Sequence, residues 1–286
     1  MPLSFRRATL ADRPAMLAIC ATVWEGDDYL PSVFDEWVTV TLPPGQVTAV
    51  ELDGNVVALA RLARLAPGEY WLEGIRVHAD YRRRGIAAAL HHYHLDLWHQ
   101  SGEPGTLRLV TGNPAIVSLC EQTHFLKLFE FTFAEAPARA APHSFTRVTP
   151  ASAERAFKLA ANVSWYAEGH GLCDLGWKWR TLTPGYLAER ITAGEVFHWR
   201  NWEAVLMTVG ATLEAAQDDT MWIQFPGVQP AQRLPFLAEV RALAQAFGQR
   251  RVRWSSPLQP VVLAELPRAG YQRLWDDVEY CFEARQ

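Results

Sequence analysis

The sequence has little cysteine, no long apolar run and no excess of positive charge. Its four cysteines are far apart and form no CxxC pair, which argues against a disulfide framework and a zinc ribbon. No stretch approaches the roughly 18 uncharged apolar residues of a membrane-spanning helix, and no apolar core follows the first charges. The net charge is −4, and no basic block occurs outside residues 82–84. We therefore expect a cytoplasmic protein with no membrane or nucleic-acid partner.

The 286 residues, of which 49% are hydrophobic and 20% charged, suit about two globular domains. Residues 134–144 are rich in Ala and Pro and are typical of a linker. The segments before and after this stretch match at an offset of 140 residues: Phe5, Arg7, Thr9 and Ala11 recur as Phe145, Arg147, Thr149 and Ala151. We predict a tandem duplication with a first domain over residues 1–134, a linker over 135–144 and a second domain over 145–286.

The first half alternates strand and helix patterns. Glycine and asparagine in Asp53-Gly54-Asn55 accept the positive φ of a tight hairpin turn. Strands are predicted over residues 4–8, 47–52, 56–62, 70–77, 106–110 and 125–133, and helices over 11–23, 85–99 and 114–122. This order predicts a mixed α+β fold of the α/β class, with two similar domains. Each would be a mostly antiparallel mixed sheet with helices on both faces.

The most informative segment is a strand that leads through residues 82–85 (Arg-Arg-Arg-Gly) into a helix rich in alanine. The first N–H groups of a helix are unpaired, and the helix dipole favours an anion there. Gly85 permits close approach of the main chain, and the arginines add charge-assisted donors. The pattern favours a pyrophosphate-binding turn over the alternative, a solvated basic turn.

This segment resembles the GNAT superfamily of acyl-CoA-dependent N-acyltransferases. Arg82 to Ala87 matches the family's pyrophosphate signature, Arg/Gln-x-x-Gly-x-Gly/Ala, and residues 72–78 resemble its central strand. The resemblance covers residues 3–133 and reaches the second half only by architecture. It implies acetyl-CoA as co-substrate, bound by Ile75, Arg76, Val77, Arg82, Arg83, Arg84, Gly85, Ile86, Ala87, Ala88, Asn113 and Cys120.

The family's later motif, Asn-x-x-Ala-x-x-Leu-Tyr-x-x-x-Gly-Phe, is present in part. Asn113, Leu119 and Phe125 fall on the pattern, whereas Ile116, Cys120 and His124 depart from it. Cys120 stands where the family has the Tyr that protonates the departing thiolate. Its side chain is shorter, so we expect a buried helix residue there. A thiolate of this kind leaves tolerably without an acid, and turnover need not be lost.

The resemblance implies direct transfer of an acyl group from a thioester to an amine. Glu73 lies where several family members place an acidic residue, and it is our candidate to take the proton of the amine. The alternative for Glu73 is an ion pair with a nearby arginine. A backbone N–H at Val77 or its neighbour is the candidate oxyanion donor.

The loop over residues 24–31 is acidic and aromatic, and both features suit a cationic amine. The alternative is a capping and turn segment. The candidate acceptor-binding residues are Trp24, Asp27, Asp28 and Tyr29. The expected acceptor is a small-molecule amine or an amino acid.

Four histidines crowd the helix after Gly85, but only His91 and His94 share a face, and no acidic or cysteine ligand accompanies them. We expect a solvated helix and no metal site.

The second half contains no Arg-x-x-Gly-x-Ala after its expected central strand at residues 220–228, and Pro230 and Pro235 remove backbone donors there. It is predicted to keep the fold and to have lost the coenzyme site. The function predicted from the sequence is N-acetyl transfer from acetyl-CoA to a primary amine. The alternative is a noncatalytic acyl-CoA-binding sensor or assembly module, and a homodimer is left open.

Overall fold

The computed structural model describes residues 2–40, 45–209 and 219–286. The chain divides into two compact units. The first comprises Met1–Val110, Pro114–Leu126 and Phe282–Gln286, and the second comprises Thr111–Asn113 and Lys127–Cys281. Among the described residues, no helix is both long and apolar enough to cross a membrane.

The first unit is built on a sheet in which three antiparallel pairings are followed by one parallel pairing. In spatial order its strands are β1 (Ser4–Arg7), β2 (Gln46–Leu52), β3 (Asn55–Ala66), β4 (Glu69–Val77) and β5 (Thr106–Thr111). The last strand of the chain, β15 (Glu279–Arg285), lies next to β5. There the buried Arg108 donates to Glu283 at 2.6 Å.

The helices of the first unit cover both faces of this sheet. They are α1 (Arg13–Cys20), α2 (Leu30–Val40), α3 (Ile86–Gln100) and α4 (Pro114–Gln122). Successive strand residues point to opposite faces. Val47 and Ala49 of β2 accordingly pack with α1 and α2, whereas Val50 packs with Ile86 and Leu90 of α3.

The second unit repeats this order of pairings. In spatial order its strands are β7 (Phe145–Arg147), β10 (Val196–Trp199), β11 (Ala204–Val209), β12 (Thr220–Gly227), β13 (Arg251–Pro257) and β6 (Leu126–Pro137). Of these described pairings, that of β12 with β13 is parallel and the others are antiparallel. The predicted tandem arrangement of two mixed sheets with similar topology is therefore confirmed.

Two core clusters lie on the two faces of the second sheet. Ala204 and Leu206 of β11 belong to one cluster, and Val205 and Met207 belong to the other. The helices are α5 (Ala153–Ala161), α6 (Ser164–Glu168), α7 (Pro184–Thr192), α8 (Arg233–Ala246) and α9 (Pro260–Ala269). A small hairpin, β8 (Leu172–Asp174) and β9 (Trp179–Thr181), and the short strand β14 (Gln272–Arg273) complete this unit.

The unit boundaries differ from the predicted domain division at the closing strands. Strand β6, predicted to close the first domain, continues to Pro137 and lies almost wholly in the second unit. The strand that closes the first sheet comes from the end of the chain. Of the predicted linker, only residues 138–144 lie outside helix and strand.

The expectation of a solvated histidine helix is wrong for His91 and His94. Both side chains are buried, and their Nε2 atoms lie 3.0 Å from Thr123 Oγ1 and 2.8 Å from Thr48 Oγ1. Burial lowers the pKa of His91 to about 4 and that of His94 to about 3. These rings are neutral, hydrogen-bonded core residues. Among the described residues, no cluster of three or more His, Cys, Asp or Glu side chains is placed to hold a metal.

Glu279 makes the stability of the protein depend on pH. Burial, with a smaller contribution from the charge of Asp277, raises the pKa of Glu279 to about 7, whereas an unfolded glutamate titrates near pH ~4.3. Between these values the unfolded chain gives up a proton that the folded chain keeps, so stability falls as the pH rises.

We expect Glu279→Gln and the wild type to have the same free energy of unfolding at pH 4. At pH 8.5 the free energy of unfolding of Glu279→Gln should be higher by about 1–2 kcal/mol, because the variant has no partly buried charge at this position. Denaturant titrations at both pH values measure this difference. The same substitution at the exposed Glu36 is the control. Parallel pH profiles for wild type and Glu279→Gln would contradict the assignment.

Candidate active site

A bulge in β4 shapes the centre of the first unit. Arg61 of β3 pairs with Glu73, but Leu59 pairs with Arg76, so two residues of β4 oppose one of β3. Gly74 has φ +66°, and a Cβ atom there would lie 2.8 Å from Cζ3 of Trp37. Only glycine fits this position without displacing the indole ring. The bulge separates Glu73 from the residues that follow it.

Beyond the bulge, one edge of β4 is open. In the described chain β4 pairs with β5 over only three residues, and this pairing ends at Trp71 and Arg108. On the other edge, the His78 N–H donates to Val57 O at 2.9 Å. Backbone groups alternate in direction along an antiparallel ladder. The N–H of Val77 therefore points to the edge on the β5 side.

The chain after β4 makes a basic turn that is fixed by two of its three arginines. Arg82 donates to Val77 O at 3.2 Å and to Thr22 Oγ1 at 3.2 Å. Arg84 donates to Asp80 O at 3.0 Å. Arg83 is exposed and has φ +62°. All three guanidinium groups remain at the surface.

Gly85 is the N-cap of α3, with φ +77° and open space around its Cα. The helical ladder begins with the Ala89 N–H, which donates to Gly85 O at 2.9 Å. The N–H groups of Ile86, Ala87 and Ala88 lie ahead of that ladder. Together with the positive end of the helix dipole, they fit a diphosphate.

Glu73 is held by an ion pair. Its Oε1 accepts from Arg61 Nη1 at 2.9 Å, and the two side chains are 8% and 15% exposed. The Arg61 guanidinium also lies 4.8 Å from the Trp37 ring centroid. The arginine pairing weighed as an alternative for Glu73 is therefore present, and it fixes the carboxylate beside the bulge.

Asp28 forms an ion pair with Arg76, which lies near the end of β4. Arg76 Nε and Nη2 donate to the carboxylate at 2.7 and 3.1 Å, and the Asp28 side chain is 0% exposed. Burial alone would raise the pKa of Asp28, but hydrogen bonds from Arg76 and the Leu30 N–H outweigh it and lower the pKa. The carboxylate is fully used within the protein.

The aromatic residues of the same loop also surround Arg76. Its guanidinium lies 4.7 Å from the Trp24 ring centroid and 5.5 Å from that of Tyr29. Asp27 is exposed. The loop does bind a cation, as its composition indicates, but that cation is Arg76. Asp28 is thus paired within the protein, and its contact with an amine acceptor stays a prediction.

Cys120 and Asn113 are the remaining predicted cofactor-binding residues. Cys120 is buried, and burial raises the pKa of its thiol to about 12. This makes it a poor proton donor to a thiolate. Asn113 is exposed and lies in the second unit, where its N–H donates to Thr111 Oγ1 at 3.0 Å.

The corresponding turn of the second unit has different chemistry. Pro230 begins a short 3₁₀ turn, and Pro235 lies in the first turn of α8; neither can donate an N–H. Arg233 at the start of α8 is buried, and its Nε donates to Glu265 at 2.7 Å. This arginine is engaged within the protein.

The roles of Arg61, Trp37 and Gly74 were missed in the sequence. No local sequence pattern indicates the roles of Arg61 and Trp37, because each contacts a residue that is distant in the chain: Arg61 pairs with Glu73, and Trp37 lies against Gly74. Gly74 did give one, because an isolated glycine inside a strand pattern indicates a bulge.

Residues 14–125 match the family model described as Acetyltransferase (GNAT) family. These residues are similar to that family, and the match covers less than half of the chain. A human relative named Probable N-acetyltransferase 16 is 34% identical over 93 residues, which cover 32% of this chain and 25% of the relative. The chain thus matches only a quarter of the length of that relative.

Solved structures share the fold of the whole chain. The GCN5-related N-acetyltransferase from Sphaerobacter thermophilus has a TM-score of 0.65 and 16% identity, with 99% of this chain and 95% of that chain covered. A tandem GNAT protein from the clavulanic acid biosynthesis pathway has a TM-score of 0.56 and 14% identity, with 99% and 98% covered. At these identities the likeness establishes the fold alone.

We expect Asp28→Asn to lower the free energy of unfolding by about 3 kcal/mol, because it leaves Arg76 without its anionic partner in a largely buried site. Denaturant titration measures the loss. The matched control is Asp35→Asn, which breaks the exposed pair with Arg13 (2.6 Å) and should change stability by less than about 1 kcal/mol. Equal losses for the two variants would show that the Asp28–Arg76 pair stabilises the protein no more than an exposed ion pair does.

Proposed function

We propose that this protein is an N-acetyltransferase that moves an acetyl group from acetyl-CoA to a primary amine of a small molecule or amino acid by direct attack. The observation that carries the proposal is the turn at Gly85. There, the N–H groups of residues 86–88 lie ahead of the first hydrogen bond of the helix, close in sequence to three surface arginines. The turn follows β4, which has a bulge and is paired with β5 over only part of its length. The GNAT match of residues 14–125 supports the same reaction.

Acetyl-CoA would supply the thioester, and the first unit offers groups for two of its parts. The N–H groups of residues 86–88 and the side chains of Arg82, Arg83 and Arg84 suit its diphosphate. The open edge of β4 at residues 75–77 suits its pantetheine arm. The Val77 N–H, directed to that edge, is the candidate donor to the carbonyl oxygen as negative charge develops there.

Glu73 is the candidate proton acceptor. An ammonium ion has no lone pair with which to attack, so the amine must first lose a proton. The pair with Arg61 holds the Glu73 carboxylate in one place, and from there it would accept a proton from the amine directly or through a bridging water. Trp24 is 62% exposed at the loop surface and offers an aromatic face to an arriving acceptor.

A noncatalytic acyl-CoA-binding module is the second candidate. The observation that favours it is the buried Cys120, which stands at the family's acid position and is unsuited to protonate a thiolate. The two candidates share the binding site and differ in turnover. Release of free thiol from acetyl-CoA that depends on an added amine separates them.

The first test asks whether acetyl-CoA binds at the Gly85 turn. Ala88→Asp places a carboxylate in the first turn of α3, where it suits the helix dipole but repels a diphosphate. We expect calorimetry to show acetyl-CoA affinity at least about tenfold lower and an unchanged melting temperature.

Ala88→Asn is the matched control for this test, since its side chain has the same size and no charge. It should bind more tightly than Ala88→Asp. Wild-type protein should bind one acetyl-CoA per chain. Equal affinities for the two variants, or two molecules bound per wild-type chain, would contradict the assigned site.

The second test concerns Glu73. We expect Glu73→Gln to lower kcat by about 10²-fold or more, because the amide cannot take a proton, while acetyl-CoA affinity stays near that of the wild type. Thiol release across a panel of small amines and amino acids measures kcat.

The control for Glu73→Gln is Glu51→Gln, which breaks another ion pair of the same sheet, with Arg6 at 2.7 Å. It should retain activity. Tight binding of acetyl-CoA without amine-dependent thiol release in the wild type would favour the noncatalytic module. Full activity in Glu73→Gln would remove Glu73 from the chemistry.

A further inference from the structure

The second unit contains a cavity of about 310 Å³ that the proposed acetyl transfer does not use. Four of its eleven lining residues are aromatic, two carry carboxylates and none is basic. A volume of this order suits a small molecule. The lining composition then decides which kind of molecule fits.

The aromatic walls are held rigidly by the fold. Phe129 and Phe131 lie two residues apart on β6 and therefore share a face. Trp179 of β9 packs edge-on against both rings, with centroids 4.9 and 5.5 Å away. Trp165 of α6 packs on Trp254 at 5.6 Å. The faces of such rings attract cations.

The charges of the lining are negative. Glu130 is paired with Lys127 at 2.5 Å. Glu168 accepts from the neutral amide of Gln259 at 3.0 Å and forms no ion pair with another described residue. The negative charge of Glu168 is therefore available to a ligand. An anionic group such as a diphosphate would find carboxylates here and no lining cation.

Two polar groups in the walls add to this pattern. Ser255 donates its hydroxyl proton to the buried Asp174 side chain, which lies behind the lining. The indole N–H of Trp179 is buried and has no acceptor among the described residues. A ligand oxygen is the kind of group that would satisfy such a donor.

We propose that this cavity binds a small organic ammonium ion, its cationic end between the aromatic rings and Glu168. The cavity lies in the unit whose own helix turn lacks the glycine and the surface arginines of the first unit. The proposal depends on no step of acetyl transfer.

The test uses the full chain and two matched pairs of probes. Each pair consists of a cation and a neutral molecule of similar shape: choline with 3,3-dimethylbutan-1-ol, and 2-phenylethylamine with 2-phenylethanol. Calorimetry or ligand-observed NMR gives the affinities. We expect at least one cation to bind about tenfold more tightly than its neutral partner. Equal affinities in both pairs, or no binding at millimolar concentration, would overturn the proposal.

Variants locate the binding. Glu168→Gln should weaken binding of the preferred cation about threefold or more and reduce its dependence on salt. Glu154→Gln, which removes an exposed carboxylate of the same unit paired with Lys158, is the control and should have no effect. Trp179→Leu should abolish binding. Because Trp179 is also a core residue, its substitution could act through the fold, so the Glu168→Gln variant is the decisive test. An unchanged affinity of Glu168→Gln for the cation would show that the cation binds elsewhere.

Discussion

The proposed site in the first unit depends on the early end of the pairing between β4 and β5. Only three residue pairs join these parallel strands before they separate. Backbone groups beyond that point need another partner. The Gly74 bulge turns the strand at the same place, and the chain then enters the left-handed turn at Gly85. The unpaired edge of β4 and the first turn of α3 thus offer main-chain N–H donors, which do not depend on any particular side chain.

The two units show how far one architecture can differ in chemistry. Both have three antiparallel pairings followed by a parallel one, and both place a helix after the central strand. In the first unit that helix starts at a glycine with arginines at the surface. In the second it follows prolines, and its arginine is paired internally with Glu265. The helix start of the first unit therefore suits an anion. The second unit instead has a cavity that is lined by carboxylates and aromatic rings.

Local sequence was enough to predict what depends on local chemistry. The Gly85 turn, the Asp53-Gly54 hairpin and the helix Pro114–Gln122 follow from residues adjacent in the chain, and the structure contains all three. Pairings between distant residues were not predictable in this way. Asp28 and Arg76 are separated by 48 positions, and nothing near either residue indicates the other. The closing strands are similar in character, so periodicity gave no indication of which sheet each would join.

The charges around Glu73 also bear on the kind of amine that the proposed reaction favours. Arg61 places a positive charge 2.9 Å from the carboxylate. This charge disfavours an ammonium ion beside Glu73 and favours the neutral amine. At pH 7 neutralising a lysine-like amine of pKa ~10.4 costs about 4.6 kcal/mol, whereas an α-amino group near pKa ~8 costs about 1.4 kcal/mol. A carboxylate already engaged by an arginine is therefore better matched to an acceptor of low pKa, such as the α-amine of an amino acid.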